Sequence, residues 1–184
     1  MILSDTTIVK MIKKGEILIQ PDFNLDNVRP TGVRVHLGDE ILLPNPRQII
    51  DLEGKSEVKY RRNTIDPLKG YQLKPGAFIL GTTLENFLVP RDIVCHIDGR
   101  STPARLGLTI HCTSSIVDGN YEEARAVTLE IKNNGPFTIV LKPKNAIGML
   151  TFTKLSEPIK QKTQKQYAGQ KGVVPPNLKN QKTN

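Results

Sequence analysis

The stretch Gly99-Arg100-Ser101-Thr102-Pro103-Ala104-Arg105-Leu106-Gly107 carries the densest concentration of chemically useful groups in the chain. Hydroxyl residues suited to an N-cap precede Pro103, which fits a first helical turn, and Gly107 fits a stop. The spacing predicts a helix of one or two turns. Its free amide hydrogens, flanked by Arg100 and Arg105, would form an anion site, with phosphate the usual guest. A capped turn with surface arginines has the same sequence, and the motif alone leaves both readings open. In Val127-Thr128-Leu129-Glu130-Ile131-Lys132, strand alternation puts Val127, Leu129 and Ile131 on one face and Thr128, Glu130 and Lys132 on the other. By pattern Glu130 is a solvent-facing strand residue. If its face lined a pocket, it would be a carboxylate placed to move protons. Asp118, followed by Gly119-Asn120-Tyr121, reads as an ordinary turn.

Metal and thiol chemistry find little support. His36, His96 and His111 sit among apolar neighbours, with no HxH or HExxH spacing. Cys95 and Cys112 are too few for a disulfide framework or a four-cysteine zinc site, and neither belongs to a CxxC pair. Reduced, structural thiols are the expectation.

The elements that must position these groups are short. Ser4-Asp5-Thr6-Thr7 offers caps before Ile8, Met11 and Ile12 at helical spacing, and Gly15 follows as a stop. After this helix come extended runs at 17–19, 33–37, 41–43, 78–81, 87–89, 93–97, 127–131, 137–141 and 146–152. Many short strands and few helices describe a mostly β chain, a sandwich, jelly roll or distorted barrel. The 184 residues suit one core, and 14 Gly with 13 Pro argue against a helical bundle. No run approaches the roughly 18 apolar residues of a membrane helix and no signal peptide is evident, so a soluble cytoplasmic protein with no membrane association is expected.

The net charge of +8 is unevenly placed. Acids and bases balance over the first 141 residues, whereas residues 142–184 carry nine lysines against the single acid Glu157. Such a basic end attracts nucleic acid, anionic membranes or phosphorylated small molecules, or is simply solvated. The organisation that follows is a domain over 1–160 and a basic, flexible tail over 161–184. Five Phe, four Tyr and no Trp make a base-stacking surface a poor fit, so a non-catalytic nucleic-acid-binding module is the remote alternative.

Taken in order, the motifs resemble the dCTP deaminase family, which shares its fold with trimeric dUTPases. The resemblance runs from Leu3-Ser4-Asp5 through Leu37-Gly38, Leu73-Lys74-Pro75-Gly76-Ala77-Phe78 and the Gly99–Leu108 block. It continues in His111-Cys112-Thr113-Ser114, Asp118, Thr128-Leu129-Glu130, Ile147-Gly148-Met149-Leu150 and Gln166-Tyr167-Ala168-Gly169-Gln170-Lys171-Gly172. It implies a dUTPase-like distorted barrel or jelly roll with a short N-terminal helix, assembled as a homotrimer with active sites between subunits.

By the same resemblance, the Arg100–Arg105 block holds a triphosphate that usually carries Mg²⁺, with no zinc and no protein metal ligand. Glu130 matches the general base, Ser101 the hydroxyl that positions water, and Arg105 the group that orients the site across the subunit boundary. Asp118 matches the aspartate at the deoxyribose in deaminases and at the attacking water in triphosphatases. Thr102, Ala104, Ser114, Thr128, Leu129, Gln166 and Gln170 complete the implied substrate contacts, and the tail becomes a lid. The implied activity is deamination of dCTP to dUTP and ammonia. A bifunctional enzyme releasing dUMP and pyrophosphate, or a dUTPase, is the alternative, and dUTP and dTTP are further candidate ligands. Zinc deaminases carry H-x-E and P-C-x-x-C, and neither occurs here. The chain departs from the family pattern at Arg34, where Asp is frequent. The segment from Asp118 to Glu130 is about two residues longer, with a turn of triphosphatase type, and Gln166 stands where a lysine commonly precedes the tyrosine.

Overall fold

The computed structural model describes residues 1–21, 23–53, 57–118, 120–161, 167 and 172–178. Helix α1 (Asp5–Lys13) starts at Ser4, whose extended backbone makes it the N-cap. Its hydroxyl caps no amide; instead the Asp5 carboxylate accepts from the Thr6 amide at 2.7 Å. The acid at this end and Lys10 and Lys13 at the other complement the helix dipole. Ile8 is fully buried and anchors the helix to the core.

The strands are β1 (Leu18–Gln20), β2 (Val28–Arg29), β3 (Gly32–His36), β4 (Glu40–Pro44), β5 (Tyr60–Thr64), β6 (Tyr71–Leu73), β7 (Phe78–Leu88) and β8 (Ile93–Gly99). After helix α2 (Ser101–Arg105) follow β9 (Leu108–Thr109), β10 (Ile116–Val117), β11 (Arg125–Asn133), β12 (Ile139–Leu141) and β13 (Ala146–Lys154). One sheet runs β5-β4-β7-β11-β9, with β1 also paired to β7; the second runs β10-β8-β13-β3-β2; β12 and β6 form a ribbon. All registered pairs are antiparallel. Val33, Val35, Ile97, Leu150 and Phe152 of one sheet and Ile41, Ile79, Leu129 and Ile131 of the other belong to one buried apolar cluster. Of the sequence-level alternatives, two open sheets sharing a core are found, and no closed barrel forms among the described residues. No helix among these residues is long and apolar enough to cross a membrane.

The runs at 78–81 and 87–89 join into the single strand β7. Its pairing with β11 shifts register between Ala126 and Thr128, where Val127 faces the stretch between Thr82 and Asn86. The Val127 amide that this bulge would orphan donates to Thr83 Oγ1 at 2.9 Å. Helix α2 lies where the sequence puts it, but Arg100, not a hydroxyl residue, is the N-cap, with no side-chain cap hydrogen bond. Gly107 ends the turn at φ +86°, and a Cβ there would run into the backbone of Gly135.

Candidate functional site

The site is built on the outer face of the six-stranded sheet. Glu130 of β11, Leu80 of β7, Leu42 of β4 and Arg62 of β5 stand in one cross-strand row. The alternation of β11 buries Leu129 and Ile131 and turns Thr128 and Glu130 to the other side. That side is the wall of a cavity of about 490 Å³, whose lining includes Tyr60, Phe78, Leu80, Cys112, Ser114, Asp118, Thr128, Glu130 and Tyr167. Its size suits a small organic ligand.

Glu130 is fixed within this wall. Its backbone amide donates to the Ile110 carbonyl at 2.9 Å, and one carboxylate oxygen, Oε2, accepts from the Cys112 amide at 2.8 Å. The carboxylate is half-buried and faces the cavity with a defined orientation, the arrangement a proton-transfer group needs. The Cys112 thiol lies 3.7 Å from the Glu130 carbonyl oxygen. Partial burial and then the charge of Glu130 push it above its ordinary pKa. The sequence expectation of two structural thiols thus fits only buried Cys95, because exposed Cys112 is part of the cavity wall.

The opposite rim is the segment from Cys112 to Arg125. Asn120 pins it: its amide nitrogen donates to the carbonyls of Phe87 at 2.8 Å and Arg125 at 2.9 Å, and its own carbonyl accepts from the Val89 amide. This buried clamp sets the position of neighbouring Asp118 at the cavity. Tyr121 is pushed above the usual phenol value, first by burial and then by Cys95 and Asp118.

Part of the tail closes the third side. Val173 is fully buried against Leu42 and Leu80, with Tyr60 and Phe78 packed around it. Arg62 donates to the Val173 carbonyl at 2.9 Å while its other terminal nitrogen pairs with Glu40 at 2.7 Å. Gly172 takes φ +65° directly over Glu40, so a side chain there would strike the carboxylate. Val174, Pro176 and Tyr167 then reach the cavity, and Arg125 donates to the Tyr167 carbonyl at 3.2 Å. The sequence reading of 161–184 as a mobile arm gives way, over Gly172–Leu178, to a docked segment.

The sequence-predicted residues fall into two groups. Ser114, Asp118, Thr128 and Glu130 meet at the cavity. Ser101, Thr102, Ala104 and Arg105 are exposed on α2, and neither they nor Arg100 line it. Arg100 donates to the Ala146 carbonyl at 2.7 Å, and partial burial together with Arg34 and Arg29 lowers its pKa. Leu129 turns its side chain into the core, so any contact it makes with a ligand is through its backbone. Gln166, Gln170 and Gly119 lie outside the described residues.

Sequence pattern does not mark Tyr60, Phe78, Cys112, Asn120 and Val174 as site residues, although all five line the cavity. The apolar run Val173-Val174-Pro175-Pro176 within a Lys-rich tail was the one signal that could have flagged the docked segment. His111 is tied to Asp98 at 3.2 Å and His36 to Glu85, and both histidines are partly buried. Among the described residues no three His, Cys, Asp or Glu side chains group as a metal site.

A fixed carboxylate in a small-ligand cavity, with an arginine-bearing helical turn on a separate surface, can be compared with known proteins. The chain is 35% identical over 163 residues to a dCTP deaminase of Haloarcula marismortui, covering 86% of this chain and 83% of that protein. It is also 35% identical over 166 residues to a dUMP-forming dCTP deaminase of Methanosphaera stadtmanae, covering 85% and 81%. The solved structure of 2′-deoxycytidine 5′-triphosphate deaminase from Agrobacterium tumefaciens superposes with a TM-score of 0.62 at 17% identity, over 82% of this chain and 47% of that one, a likeness of fold. The family profile described as dCTP deaminase-like matches residues 2–155, which takes in both sheets, the cavity carboxylates and α2, and the chain therefore belongs to the dCTP deaminase-like family.

Proposed function

We propose that this protein is a hydrolase of nucleotide triphosphates that deaminates dCTP, with Glu130 as the proton-transfer group. The observation that carries this reading is the Glu130 carboxylate, held by the Cys112 amide in the wall of a cavity large enough for a nucleoside. Relatives named as dCTP deaminases support it. Water adds to C4 of cytosine as Glu130 takes one of its protons. Glu130 returns that proton to the exocyclic nitrogen, the C4–N bond breaks to release ammonia, and the proton of the hydroxyl left on C4 passes to N3 as the uracil carbonyl forms. Such a shuttle contributes roughly 10²–10⁴ in rate. Thr128, on the same face as Glu130, and Ser114 on the rim would hold the base, with Asp118 at the sugar.

The triphosphate would be gripped by Arg100, Ser101, Thr102 and Ala104 of α2, and Arg105 would orient the reacting end. Because α2 is exposed and lines no part of this chain's own cavity, we infer that a second copy supplies it, in a homotrimer with sites between subunits. The protein offers no cluster of metal ligands among the described residues, so Mg²⁺ would enter bound to the phosphates as part of the substrate. Gln166, Gln170 and the docked segment would act as the lid of a tail spanning 161–184, excluding bulk water. Acting on the nucleotide pool, the enzyme would be cytoplasmic.

A second reading is favoured by Asp118, a further carboxylate on the same cavity. It could orient water at the α-phosphate, so that dUMP and pyrophosphate leave, as the name of the Methanosphaera relative describes for that protein. Incubation with dCTP and Mg²⁺ tests both readings. Ammonia must appear, and ion-exchange separation of the nucleotide product distinguishes dUTP from dUMP. Absence of ammonia, with dUTP hydrolysed instead, would leave a plain dUTPase.

A further inference from the structure

A second cavity, of about 300 Å³, shares no lining residue with the first. Phe23, Asn27, His36, Leu84, Glu85 and Lys144 are among its walls. Glu85 belongs to the stretch of β7 that bulges opposite Val127, and it is 6% exposed. Both its oxygens are used on one residue: Oε2 accepts from the His36 amide at 2.9 Å, and Oε1 lies 2.5 Å from His36 Nδ1. The pair fixes the imidazole and leaves Nε2 as the ring nitrogen without a partner among the described residues.

Lys144 is the second feature. Residues Lys142–Asn145 form a turn in which the Asn145 amide donates to the Lys142 carbonyl at 3.1 Å, with Pro143 second and Lys144 third. Lys144 takes φ +65°, the only non-glycine in the left-handed region among the described residues. Glycine meets that backbone without strain. The residue there is instead a lysine that lines the cavity and makes no ion pair among the described residues, and strained positions concentrate at ligand sites.

We propose that this cavity binds a small aromatic anion, a flat ring bearing a phosphate or carboxylate. The ring lies against Phe23 and Leu84, the anionic group meets Lys144, and His36 Nε2 and the Asn27 carboxamide offer polar contacts. The volume, at the small end for ligand sites, matches a single ring with its head group. Glu85 spends both oxygens on His36, which leaves the Lys144 side chain to meet the anionic group of the ligand.

Phenyl phosphate and benzoate are the probes, read by backbone amide NMR of the full chain. Saturable shifts at Phe23, Asn27, His36 and Lys144 with either probe support the site, and the tighter probe names the head group. Lys144→Gly, which suits the φ and so folds, should weaken binding at least tenfold while dCTP turnover stays unchanged. Shifts confined to Cys112 and Glu130, no shift at all, or wild-type affinity in Lys144→Gly would overturn the proposal.

Discussion

Replacing Val173 with Ala should open the cavity without unfolding the protein. The side chain is fully buried between Leu42 and Leu80, and burying a valine contributes about 1.5–3 kcal/mol. Truncation to Ala removes roughly 1–2 kcal/mol of that, and each 1.4 kcal/mol is tenfold in the docked-to-open ratio. Arg62 also holds the segment, but its side chain is 49% exposed and so is worth less than about 1 kcal/mol. Cleavage by thermolysin before Leu178, which is buried with the docked segment, reports the open population when closing is fast. Cleavage should rise about tenfold in Val173→Ala, further in Val173→Asp and less in Arg62→Ala, with kcat/KM falling in that order and the core melting temperature nearly constant. Wild-type cleavage in Val173→Ala, or a larger effect from Arg62→Ala, would refute the assignment of the latch to the valine.

Three further outcomes follow from the same geometry. Burial pushes the Cys95 thiol from 9.0 up to about 12, so its proton stays on in the folded state when the unfolded chain has already lost it. Stability present below about pH 9 is therefore lost between pH 9 and 12; guanidinium unfolding should show a loss on the order of 1 kcal/mol at pH 10 relative to pH 8, a loss missing in Cys95→Ala. Because Glu130 helps hold the Cys112 thiol protonated, Glu130→Gln should speed iodoacetamide labelling of Cys112 at pH 8, and an unchanged rate would separate the two groups. If α2 of one copy serves the cavity of another, an equal mixture of inactive Glu130→Gln and Arg105→Ala chains, exchanged between trimers, should regain about a quarter of wild-type activity. No recovery would place each site within one chain.

Local pattern made some of this legible and tertiary pairing hid the rest. Alternation placed Leu129 and Thr128 on opposite faces, and Pro103 with Gly107 located α2 to within a residue. β5 escaped because Tyr60-Arg61-Arg62-Asn63-Thr64 has no alternation; it is an edge strand whose residues are mostly exposed and which exists by pairing with β4. The apolar runs 78–81 and 87–89 read as two strands because the bulged stretch of β7 between them carries the polar Thr82, Thr83, Glu85 and Asn86. Glu130 has the pattern of a solvent-facing residue, and only the Cys112 segment and the tail, distant in sequence, turn its surroundings into a cavity. Asn120 reads as a turn residue until its amide is seen to bridge Phe87 and Arg125.

The central claim is that one carboxylate, oriented by the Cys112 amide, moves the protons of deamination. Ammonia release from dCTP by Glu130→Gln, measured alongside nucleotide affinity, tests it most directly. The account predicts a loss of roughly 10²–10⁴ in kcat with affinity nearly unchanged. Turnover close to wild type in that variant would contradict it.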